Sequence, residues 1–123
     1  MAFLTDRKRA EGTGSGREGT HHHWQMIASS VALVFIVPVF VLIIGSGLGE
    51  TQAEVVEFFS RPLPAIFTGL SLVVLMLHLL READAAIEDY MHGTLQKLTL
   101  IAAQAFSYAV IAAGLFALAK IAL

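Results

Sequence analysis

The chain has 123 residues, 56% of them hydrophobic and only 15% charged, against roughly 45–50% and 25% in soluble domains. With a mean hydropathy of +0.71, that composition excludes an ordinary soluble domain. The net charge of −2 and the absence of cysteine exclude a basic nucleic-acid footprint, a disulfide framework, and zinc or iron–sulfur clusters held by thiolates. A metal or redox centre would have to use histidine.

No Asp, Glu, Lys or Arg occurs in residues 19–49, 62–80 or 98–119. A helix crosses a hydrocarbon core of roughly 30 Å with about 20 mostly apolar residues, so each gap predicts one span. The chain therefore reads as all-α, an integral membrane bundle of three transmembrane helices at about 26–48, 64–88 and 95–122. Residues 1–24 form an N-terminal arm and residues 25–123 the membrane domain. The arm is shorter than the ~50 residues of the smallest independent domains, so any chemistry sits in or against the bilayer.

In chain order, residues 1–20 are rich in glycine and mixed charge, the composition of a segment that orders only against a partner. The apolar run that follows is longer than the roughly 7–15 residues of a signal h-region, and Asp6, Glu11 and Glu18 argue against a mitochondrial transit peptide. The first span is therefore read as retained. It begins after His21-His22-His23-Trp24, should kink at Pro38 for packing reasons, and leaves through Gly45-Ser46-Gly47-Leu48-Gly49. Consecutive histidines on a helix or strand do not converge on one ion, so the triplet with Trp24 reads as an interfacial anchor or a contact for a soluble partner.

Residues 50–61 carry Val55, Val56, Phe58 and Phe59, the pattern of a short amphipathic turn at the interface. The second span starts at Pro62-Leu63-Pro64, where proline suits a first helical turn. After His78 come Arg81, Glu82, Asp84, Glu88 and Asp89, yet Ala83, Ala85, Ala86 and Ile87 keep helix propensity high. The helix should run past the apolar gap and stop near Gly93. In the third span Ala105, Ala109, Ala113 and Ala117 recur every fourth residue, a small-residue stripe suited to close helix packing. Gln104, Ser107 and Tyr108 could hydrogen-bond between helices. Arg7, Lys8, Arg9, Arg17, Arg81 and Lys97 fall on one side of the membrane, with only Arg61 and Lys120 on the other. The positive-inside rule puts the N-terminus in the cytoplasm and the C-terminus in the periplasm.

Two places could carry chemistry. His78 is the one ionisable residue in the second apolar gap, and an imidazole at that depth can ligate haem iron, relay a proton or hydrogen-bond to a neighbouring helix. Tyr90 lies about 18 Å beyond it on a continuous helix, at the cytoplasmic membrane surface. Its phenol can donate to a quinone carbonyl while Asp89 holds a basic neighbour or passes protons; the plain alternative is an interfacial belt tyrosine beside a solvated carboxylate.

A short basic arm, Gly19-Thr20-His21-His22-His23-Trp24 before the first span, three spans, and the His78 to Asp89-Tyr90 spacing together resemble the smaller hydrophobic anchor subunits of succinate dehydrogenase, respiratory complex II. The resemblance covers essentially the whole chain, and the His78 to Asp89-Tyr90 spacing is its specific part. It implies that this chain is half of a two-subunit anchor domain in a bacterial inner membrane. His78 would be an axial ligand of one haem b, with the second histidine supplied by the larger, cytochrome b-type anchor subunit. Tyr90 would hydrogen-bond ubiquinone, supported by Asp89. FAD and iron–sulfur clusters would belong to the flavoprotein and iron–sulfur subunits. Many such subunits carry an arginine a few residues after the tryptophan; here the order is Trp24-Gln25-Met26-Ile27-Ala28-Ser29-Ser30, and Ser29 or Ser30 offers only a neutral hydrogen bond. The Arg81-Glu82 pair is more charged than the neighbourhood of a haem ligand leads one to expect, and either faces partner subunits or pairs within the helix. A quinol:fumarate reductase anchor, a small proton-coupled transporter using His78 and the charges from Arg81 to Asp89, and a haem-free docking subunit are the alternative readings of the same residues.

Overall fold

The computed structural model describes residues 3–14 and 18–123, and contains five helices and no strand among them. Arg17, counted above with the basic arm, lies outside the described residues. The arm holds one short helix, α1 (Asp6–Glu11), capped by Thr5 Oγ1, which accepts from the Lys8 N–H at 3.2 Å. Arg7 pairs with Glu11 at 3.2 Å and Arg9 with Asp6 at 3.8 Å. Exposed pairs of this kind contribute little, and α1 packs on no other element.

The first long helix, α2 (Glu18–Ser46), starts well before Met26, the expected first residue. The histidine triplet and Trp24 are therefore helical. The helix runs unbroken through Pro38, whose missing N–H leaves the Val34 carbonyl without its usual partner. Turn hydrogen bonds Gly47 N to Ile44 O and Leu48 N to Gly45 O, both 3.1 Å, close the end, and Gly49 at φ +88° makes a turn that glycine alone adopts readily.

The interfacial turn is a full helix, α3 (Gln52–Ser60), opened by a capping box. Thr51 N–H donates to Glu54 Oε2 at 2.8 Å, and Glu54 N–H donates back to Thr51 Oγ1 at 3.4 Å. The Thr51 backbone bond, followed by the Thr51 and Glu50 side chains, holds the Glu54 carboxyl below its ordinary 4.5. Phe58 and Phe59 meet edge to face at 5.2 Å, and α3 lies against α4 and α5.

One residue later α4 (Pro62–Tyr90) crosses back, and α5 (Gly93–Ala122) returns. The Ala-rich stretch continues α4 to Tyr90 as expected. The helix stops there rather than at Gly93, which instead opens α5 at φ +70°. Gln96 Nε2 donates to the Glu88 carbonyl at 3.4 Å, tying the start of α5 to the end of α4.

The three spans form a row. Among the described residues α4 packs on α2 and on α5, and these two do not touch each other. The α4–α5 seam is made by Gly69, Leu72, Ser107 and Gly114. Ser107 is 6% exposed; a Cβ on Gly69 would meet Leu115 at 3.4 Å, and one on Gly114 would collide with Leu72. Ser71, 1% exposed, lies two helical turns before His78 on the same stripe of α4. The alanine stripe expected to do this work is on the outside. Ala105, Ala109, Ala113 and Ala117 are all exposed, because the inward face of α5 is the one through Ser107, Val110, Ile111, Gly114 and Leu118. Ser107 is buried in the seam while Gln104 and Tyr108 are exposed, and none of the three bonds to another helix among the described residues. Among the described residues only Leu33 and Leu80 are buried hydrophobics, whereas Phe35, Leu42, Phe106 and Phe116 are about 70% exposed. A surface of that kind is covered by lipid or by other membrane helices.

Candidate functional site

The α2–α4 seam is polar where it holds His78. The ring is 15% exposed, and the α2 hydroxyl of Ser29 lies 3.0 Å from Nδ1. Ser29 Oγ also donates to the Met26 carbonyl at 3.0 Å. On the other edge of the ring, Nε2 faces the exposed Glu82 carboxylate one turn on, at 3.7 Å. Glu82 thus stands beside His78 on its own helix while its side chain remains exposed. The Ser29 contact was not legible from α4 alone; the signal for it was a hydroxyl about three turns into α2, where antiparallel packing meets the His78 level of α4.

The rest of α4 carries the chain to the membrane surface. Eleven residues make close to three helical turns, so Asp89 lies on the same stripe as His78 and Glu82, about 16 Å further along. Tyr90 projects about 100° away from that stripe. Asp89 and Tyr90 are exposed, Tyr90 at 86%. They stand at the end of the bundle that also holds the start of α2 and the α4–α5 turn, hence Arg81 and Lys97; Arg61 and Lys120 are at the opposite end. Half-way between, the Asp84 Oδ1 atom is buried with no hydrogen-bond partner, as is Thr68 Oγ1 nearer the far end.

A haem held by histidine requires a shielded imidazole with a free ring nitrogen. His78 fits one axial position: it is shielded, its Nδ1 is engaged, and no N–H or O–H donor occupies Nε2. It is the one imidazole at its level. His92 lies about 21 Å further along the chain at helical rise, and His21, His22 and His23 are exposed on successive positions near the start of α2, diverging by about 100° each. His21 Nε2 is engaged by Gln25 Nε2 at 2.9 Å. A second protein ligand would have to come from another polypeptide.

Three long apolar helices, a nearly coreless row of spans and one shielded imidazole define an integral membrane subunit built to be completed by other chains. The sequence matches the family described as succinate dehydrogenase/fumarate reductase transmembrane subunit over residues 3–119. It is also 41% identical, over 100% of this chain and 95% of the relative, to the succinate dehydrogenase hydrophobic membrane anchor subunit of Paracoccus denitrificans. No solved structure matches. The chain belongs to the succinate dehydrogenase/fumarate reductase transmembrane subunit family, and is a membrane anchor of that enzyme complex.

Proposed function

We propose that this chain anchors a succinate:ubiquinone oxidoreductase to a bacterial inner membrane and helps to form its haem b and ubiquinone sites. The observation that carries the reading is His78, shielded between α2 and α4 with Nδ1 beside Ser29 and Nε2 making no hydrogen bond among the described residues, on an unbroken helix that ends at Asp89 and Tyr90. The name of the relative at 41% identity supports the succinate-oxidising direction over fumarate reduction. The family match supports an anchor over a transporter.

His78 would ligate the haem iron through Nε2, and the larger anchor subunit would supply the second histidine. When bound, the haem would supply a one-electron store. The chain's own work is local. The packed α2–α4 seam shields the imidazole, and the apolar flanks exclude water and raise the weight of each dipole near the site. At the cytoplasmic end the Tyr90 hydroxyl donates a hydrogen bond to a ubiquinone carbonyl, and Asp89 beside it holds a basic neighbour or passes protons. The remaining walls of that pocket, the FAD and the iron–sulfur clusters belong to the partner subunits. The N-terminus is cytoplasmic and the C-terminus periplasmic, the arrangement that places Arg7, Lys8, Arg9, Arg81 and Lys97 inside.

A dithionite-reduced minus oxidised absorbance spectrum of the detergent-extracted complex tests this reading. The b-type signal should be present in wild type and lost in His78→Ala at matched subunit stoichiometry. An intact wild-type complex with no haem would overturn the haem role while leaving the anchor role in place.

A further inference from the structure

Counting protons at the polar contact between α2 and α4 gives His78 a direction. Ser29 Oγ is 3.0 Å from His78 Nδ1 and 3.0 Å from the Met26 carbonyl oxygen. A serine hydroxyl has one proton and two lone pairs, whereas a carbonyl only accepts. The proton therefore goes to Met26, a lone pair faces the ring, and Nδ1 carries the ring hydrogen. In the opposite arrangement the hydroxyl would turn to Nδ1 and abandon Met26. Nε2–H would then face Glu82 at 3.7 Å, beyond the roughly 2.7–3.2 Å of an N–H···O bond. The first arrangement makes two good hydrogen bonds and the second makes one.

Ser30 supplies an internal contrast. Its Oγ donates to the same Met26 carbonyl at 2.8 Å, but it is exposed and makes no contact with His78. Of two neighbouring hydroxyls with the same bond inside α2, one reaches across the seam to the imidazole.

We propose that Ser29 is a positioning residue for His78: by accepting the Nδ1 hydrogen it fixes the tautomer that presents the Nε2 lone pair, and it holds the ring plane at the α2–α4 seam. This rests on the reading of His78 as a haem ligand. A hydrogen bond accepted from the distal ring nitrogen makes the ligating nitrogen a stronger donor, which favours ferric over ferrous haem. Removing the acceptor should therefore raise the haem reduction potential and loosen the ring orientation.

The test uses the whole native complex, with potentiometric titration of the haem and low-temperature EPR of its oxidised form. In Ser29→Ala the haem should remain, with its potential shifted upward by as much as about 59 mV, the one-electron equivalent of a tenfold change, and with a displaced EPR signal. Ser29→Thr keeps the oxygen and should restore both. Ser30→Ala removes a comparable bond within α2 and should change neither. An unaltered potential and EPR signal in Ser29→Ala, or an equal shift in Ser30→Ala, would overturn the proposal while leaving the haem in place. If Ser29→Ala does not assemble, Ser29→Cys takes its place: its weaker acceptor should give a smaller upward shift, and a wild-type potential counts against the proposal. Haem that survives undiminished in His78→Ala, or none in wild type, overturns the underlying reading instead, before Ser29 is varied.

Discussion

The two seams of α4 use opposite chemistry. Against α5 the helix presents Gly69 and Leu72, and the backbones approach until Leu72 fills the space a Gly114 side chain would need. Against α2 it presents an imidazole to a hydroxyl. In a membrane there is no hydrophobic drive between apolar helices, so association relies on close packing and on interhelical hydrogen bonds. This molecule assigns those two means to different faces of one helix. The first seam brings two helices into close contact, and the second sets His78 beside Ser29.

The comparison breaks most visibly at His78. His78→Ala should remove the b-type spectrum almost completely while the three spans still assemble, because the α4–α5 seam is untouched; subunit stoichiometry and the difference spectrum together check this. Gly114→Val should do the reverse. Overpacking against Leu72 should cost about 1–3 kcal/mol, read as lower thermal stability of the complex in detergent, and Leu72→Ala should recover part of it. Tyr90→Phe touches neither seam and should lower ubiquinone reduction about tenfold, the worth of roughly 1.4 kcal/mol in a lost hydrogen bond, with succinate oxidation by an artificial acceptor unchanged.

The smallest effect lies at α3, outside both seams. The Glu54 carboxyl is held below its ordinary 4.5 by the Thr51 backbone bond first and by side-chain bonds second. A depressed folded value means the cap stabilises α3 fully above 4.5 and loses that contribution as pH falls through the lowered value. Hydrogen-exchange protection of the first turn of α3 should therefore be flat through neutral pH and decline in acid. Glu54→Gln should flatten the acid decline.

The spans were legible because a bilayer demands about 20 residues without charge, and the gaps at residues 19–49, 62–80 and 98–119 meet that demand on their own. The continuation of α4 to Tyr90 was legible for a local reason too, since alanine between charges favours helix whatever surrounds it. His78 stood out as the one ionisable residue of its gap. The start of α2 at Glu18 was not legible, because the glycine and histidines before Met26 carry no strong helix signal.

Facing was the harder property. In a soluble helix the apolar stripe reports which side is inward, but α5 is apolar all round, so Ala105, Ala109, Ala113 and Ala117 looked like a seam as plausibly as Ser107 and Gly114 did. The chain's own residues thus determined what crosses the membrane, how many times, and where an imidazole is carried, since backbone hydrogen bonding and hydrocarbon thickness act within each segment. Which alanines stay outside, and that Ser29 rather than Ser30 meets His78, was decided only when α2, α4 and α5 packed, because a contact between helices depends on their relative rotation and depth, which no single segment encodes.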